Sequence, residues 1–116
     1  LFTMKKICLL LLVSSFLGIE HVSAQSSIQT ALAERIAVRL RDSLSLSSAQ
    51  KDSIYAINML ISNQKNALRS TYQDAETLQF HTQRVEHTRD SLYRPILGEE
   101  KYLLYRQKKN NLVNNN

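Results

Sequence analysis

Residues 46–50 read Leu46-Ser47-Ser48-Ala49-Gln50, a serine followed three positions later by a glutamine. Ahead of an apolar periodic segment this spacing makes a capping box. The Ser47 hydroxyl accepts from the backbone N–H of Gln50, and the Gln50 side chain accepts from the N–H of Ser47. A helix is therefore predicted to start at Ser48. Apolar residues recur at helical spacing on both sides of the box. Before it stand Ile28, Leu32, Ile36, Leu40 and Leu44; after it come Ile54, Ile57, Ile61 and Leu68, then Leu78, Val85 and Leu92. Each set is a narrow stripe among polar residues, the pattern of thin helical hairpins that pack on one face.

Past residue 24, Gly98 is the only glycine and Pro95 the only proline. That leaves almost no turn chemistry for β-hairpins or phosphate-binding loops, and the expected class is all-α. Pro95 disfavours a helical Arg94, so a third helix is predicted to end near Tyr93. Gly98-Glu99-Glu100 puts two carboxylates in the first turn of a fourth helix, where the macrodipole favours them, and Lys108 and Lys109 suit its end. Between the second and third helices Ser70-Thr71-Tyr72-Gln73-Asp74 offers cap residues but no breaker. Asp74 is expected to cap a helix at Ala75, the alternative being one continuous helix from Ser48 to Tyr93. The asparagine-rich residues 110–116 are expected to be a disordered tail.

Met4-Lys5-Lys6, the apolar run from Ile7 to Ile19 and the small residues Val22-Ser23-Ala24 have the order of a secretory signal peptide over residues 4–24, with cleavage expected after Ala24. The run is shorter than the roughly 20 residues of a membrane-spanning helix. No stable membrane insertion is expected after cleavage. Leu1-Phe2-Thr3 precede the expected start at Met4. Cys8, the only cysteine, lies at the front of the run instead of at its end, so it is not placed for lipid attachment. Its loss with the leader excludes thiol chemistry from the mature chain, which is expected to be one domain over residues 25–109. A chain this small, without disulfides, is expected to gain stability from a partner subunit.

Lys and Arg number 15 against 10 Asp and Glu, a formal net charge of +5. Mixed and modest, this charge on an exported chain makes nucleic acid a poor partner. Catalytic signatures such as a GxSxG elbow or HExxH are missing, and the serines of residues 43–48 read as a turn and a cap, so no enzymatic activity or cofactor is expected. His81 and His87, six apart, are turned about 240° from each other on a helix. They are not the same-face pair that binds a metal readily, and no metal site is assigned.

Leu44-Ser45-Leu46-Ser47-Ser48-Ala49-Gln50-Lys51 resembles the LTxxQ motif of the Spy/CpxP group of periplasmic stress proteins, with Ser47 in place of threonine. Ile96-Leu97-Gly98-Glu99-Glu100-Lys101 stands where that family carries its second copy, keeping the leucine and the acidic first turn. The motif residues are then Leu46, Ser47, Gln50, Leu97 and Glu100. The resemblance implies a bent four-helix hairpin that dimerises into a thin antiparallel cradle in the periplasm. It also implies an ATP-independent chaperone of unfolded or misfolded envelope proteins in the envelope stress response. The alternatives are an adaptor that binds the periplasmic domain of a sensor kinase, metal-linked or not, or a structural envelope coiled coil. A chaperone surface combines long-range charge with shallow apolar contact. The candidate client-binding residues are accordingly Arg35, Arg39, Lys65, Arg69, Arg84 and Arg89, with Met59 and Phe80 as apolar contacts.

Overall fold

The computed structural model describes residues 26–114. The expected signal peptide, Cys8 and the cleavage position after Ala24 lie outside the described residues, as do Asn115 and Asn116. The described residues fall in two units, 26–30 and 31–114. In the first, residues 26–30 are helical, and Thr30 Oγ1 donates to the Ser26 carbonyl at 2.8 Å.

The described residues form four α-helices and a closing π-helical turn, with no strand among them. They are α1 (residues 26–44), α2 (Ser48–Thr71), α3 (Ala75–Leu97), α4 (Glu99–Lys109) and the turn Asn110–Asn114. The all-α expectation holds. Only residues 45–47 and 72–74 and Gly98 lie between helices among the described residues.

Each joint has a local cause. α1 stops because Ser45 adopts a φ of 55°, in the left-handed region, and the Leu46 N–H reaches back to the Arg41 carbonyl at 3.1 Å. This is the six-to-one bond of a Schellman end, and Leu46 is the hydrophobic residue that such an end buries. Ser47 follows at once as N-cap of α2, with both halves of the capping box formed. Asp74 caps α3 by accepting from the Thr77 N–H at 2.8 Å and from its hydroxyl at 2.8 Å. The continuous helix from Ser48 to Tyr93 is thereby excluded. Instead α2 and α3 lie side by side as an antiparallel hairpin. Gly98, with φ 77°, breaks α3 from α4.

Three expectations are corrected. First, α3 runs through Pro95 to Leu97 instead of ending near Tyr93. Pro95 falls in the last turn, where its missing N–H forfeits a single intrahelical bond, and the extension buries Leu97 and lets the Gly98 N–H close on the Arg94 carbonyl at 3.0 Å.

Second, the stripes rotate off the core. On α1, Ile36, Leu40 and Leu44 are buried with Ala33 and Ala37, while Ile28 and Leu32 are exposed. A strict four-residue spacing drifts about 40° per step on a helix of 3.6 residues per turn. The start of the stripe therefore slides off the face that its end buries. On α3, Leu78, Val85 and Leu92 are half-buried, and the interior is taken by Arg89, Asp90, Tyr93 and Leu97.

Third, residues 110–114 are not frayed. They form the π-helical turn, and Leu112 and Val113 share one core with Ile36, Ala37, Leu40, Leu44, Leu46, Ile54, Tyr93, Leu97 and Tyr105. Burying two aliphatic side chains stabilises by about 3–6 kcal/mol.

Candidate functional site

The two motif stretches meet at one end of the α2–α3 hairpin. Gln50 does double duty there. Its Oε1 accepts from the Ser47 N–H at 2.9 Å, and its Nε2 donates to the Ile96 carbonyl at 3.0 Å. The second bond ties the first motif to the last turn of α3. Lys101 donates from Nζ to the Ser45 carbonyl at 2.9 Å and makes a second tie in the reverse direction. Leu46 and Leu97, the motif leucines, are both buried in the common core. Glu100 is exposed in the first turn of α4. At the α3–α4 corner Arg94 grips Glu99 with two bonds, 2.6 and 3.1 Å, and its guanidinium carbon lies 5.2 Å from the Tyr102 ring centroid. The bond from Arg94 holds the Glu99 carboxyl below its ordinary value and raises Arg94 in turn.

Behind this joint runs a polar core. Asn58 is buried on the α2 stripe between Ile54 and Ile61, donates from Nδ2 to the Ala33 carbonyl at 3.0 Å and accepts from the Tyr93 hydroxyl. Asp90, also buried, accepts from Tyr105 at 2.7 Å, Arg106 at 2.6 Å and Lys109 at 2.9 Å. One carboxylate thus gathers three donors of α4. Burial first of all pushes the hydroxyls of Tyr93 and Tyr105 well above the ordinary tyrosine value of 10.0, and at Tyr105 the bond to Asp90 adds to it. The two rings meet edge to face at 5.1 Å.

The candidate client-binding residues do not form one surface. Arg89 is 5% exposed and pairs with Glu86 at 3.0 Å, which places it in the interior and not at a client-facing surface; its Nε has no hydrogen-bond partner among the described residues. Lys65 is half-buried and bonds the same Glu86, bridging α2 to α3. Arg69 is exposed and bonds Asn66 at 2.6 Å. Arg35 is exposed and lies one turn after Leu32 on α1, while Arg39 is half-buried. Met59 is half-buried. Phe80, at 58% exposure, stands out on α3 with the exposed Arg84 guanidinium 6.0 Å from its ring centroid. His81 stacks on Tyr72 at 4.4 Å and pins the α2–α3 turn, while His87 is exposed. Among the described residues no group of three His, Cys, Asp or Glu is placed to hold a metal ion, and no helix is long and apolar enough to cross a membrane.

Sequence reasoning does not single out Asn58, Asp90 or Lys101 as structural anchors. A signal existed for Asn58, a polar residue at the centre of an apolar stripe. None existed for Asp90, whose partners come from a helix that sequence places only by its caps.

No protein-family model matches the chain, and no curated protein or solved structure matches it either.

Proposed function

We propose that this chain is an ATP-independent holdase that acts after export, in the periplasm, on unfolded or misfolded envelope proteins. The observation that carries the proposal is the pairing of exposed apolar side chains with basic ones on helix flanks. Phe80 lies under Arg84 on α3, and Leu32 adjoins Arg35 on α1. Such pairs let charge draw a chain in and shallow apolar contact hold it. The joined motif stretches, with Gln50 reaching Ile96, support the likeness to the Spy/CpxP group. A homodimer belongs to the same proposal, with the exposed Leu103 and Leu104 of α4 as surface for a second copy to cover.

The test is light scattering from a chemically unfolded client diluted into the protein, without nucleotide, at low and moderate salt. Dose-dependent suppression that weakens with salt, and that falls in the double substitution Phe80→Ala with Arg84→Glu, is the expected result. No suppression with several unrelated clients would overturn the reading and leave the signalling adaptor or a structural role.

A further inference from the structure

The outer face of α4 carries a charge pattern that the described residues leave unused. Of the charged side chains on this helix, Glu99 is held by Arg94, Arg106 and Lys109 by Asp90, and Lys101 by the Ser45 carbonyl. That leaves Glu100 and Lys108. Glu100 forms no ion pair among the described residues, and Lys108 meets only the Ser43 hydroxyl, at 3.5 Å. Both are exposed. Leu104 lies midway, one helical turn from each, with Leu103 beside it. Leu103 is 59% and Leu104 39% exposed, on a helix whose Tyr105 is fully buried. The face therefore reads acid, apolar, base along about 12 Å of helix axis. The acid stands in the first turn and the base in the last.

We propose that this face seats a second copy of the chain, whose own α4 lies antiparallel across it. Charge selects the occupant. Identical chains related by a two-fold axis present the same patch to each other. With that axis beside Leu103 and Leu104, antiparallel helices set the acidic first turn of one α4 against the basic last turn of the other. Glu100 of each chain then faces the partner's Lys108, and the leucines cover one another. The macrodipoles also run head to tail, which favours the same orientation. A parallel pair sets each of these charges against its own copy, so the same two residues reject it. One face of an eleven-residue helix is smaller than the roughly 800 Å² per partner of a stable complex, and the pair is accordingly reversible and concentration-dependent. This arrangement rests on the homodimer named with the holdase reading and deepens it by fixing the orientation and the two ion pairs.

Sedimentation velocity of the full chain over a concentration series tests the pairing. The forms compared are the unaltered protein, Glu100→Lys, Lys108→Glu, an equimolar mixture of these two variants, and Leu103→Ser with Leu104→Ser. The unaltered protein is expected to pass from monomer to dimer as concentration rises. Each charge reversal sets like charges together and is expected to weaken dimerisation on the order of tenfold. The mixture is expected to regain the unaltered strength, since each variant supplies the charge that the other lacks. Recovery there separates pairing across the interface from damage to the helix, because every chain in the mixture still carries its own reversal. The leucine variant is expected to stay monomeric. Far-UV circular dichroism melts check that each form folds; where a reversal unfolds the chain, Glu100→Gln and Lys108→Gln replace it, each expected to dimerise more weakly than the unaltered protein. A dimer unchanged by the charge and leucine variants, or a mixture no tighter than its components, would overturn this interface and leave the homodimer standing. A monomer at every concentration would overturn the homodimer with it. No client enters the measurement, so the holdase reading is decided by its own test.

Discussion

Gln50 and Asn58 show how a single amide side chain joins two levels of structure. Gln50 completes a helix cap with its oxygen and crosses to α3 with its nitrogen. Gln50→Ala is expected to lower stability by about 1–2 kcal/mol, the sum of a cap bond and a net hydrogen bond. Gln50→Glu keeps the acceptor and loses only the donor to Ile96, so it should fall between the two in urea titration. Asn58→Ala leaves the Tyr93 hydroxyl buried without its partner and removes the second donor from the Ala33 carbonyl, which keeps its bond within α1. A cost of about 1–3 kcal/mol is expected. It should appear as a lower urea midpoint at unchanged slope, and a cycle with Tyr93→Phe should show coupling. The first of these contacts was half legible, because a capping box is a local pattern that five residues contain. The bond to Ile96 was not, since it depends on how two helices meet.

Helices end where local chemistry tells them to, and the joints can be strengthened or weakened without touching the core. Ser45 holds a left-handed conformation that suits glycine. Ser45→Gly is expected to raise stability by about 1 kcal/mol. Gly98→Ala is expected to lower it by about 1–2 kcal/mol. At Gly98 the strain comes from φ alone, since a Cβ there meets nothing within 4 Å. Thermal melts of the two variants should therefore shift in opposite directions at the same helix content. Caps made α2, α3 and α4 readable at their starts. Their ends were less so. Pro95 argues for a stop, but a proline in a last turn loses little, and the burial of Leu97 decides the matter. The stripe on α1 was legible only in its second half, because a spacing of four drifts across the face.

Across the whole molecule, the interior is unusual in being anchored by phenols and ions as well as by aliphatic residues. Tyr93 and Tyr105 are raised in the folded state above the ordinary value of 10.0. Groups of this sign contribute stability that is fully present below the unfolded value and lost as pH rises beyond it. The protein is therefore expected to unfold on the alkaline side above about pH 10. Part of its tyrosinate absorbance should appear only together with the loss of helical dichroism, and Tyr105→Phe should shift that transition to higher pH. Sequence places most of the tyrosines in core or dimer contact, but not Tyr93 against Tyr105, a pairing that the packing of α3 against α4 creates.

The position of Lys109 adds a kinetic consequence. It is the last basic residue of the chain, immediately ahead of the closing turn, and its ammonium is engaged by Asp90. Trypsin can cut there only while that ion pair and the last turn of α4 are open. Under excess protease the rate at which the asparagine-rich peptide is released then equals the opening rate, and at low protease it reports the equilibrium between closed and open. Digestion of the folded protein thus becomes a clock for the opening of the last turn of α4, and Asp90→Asn should make it run faster.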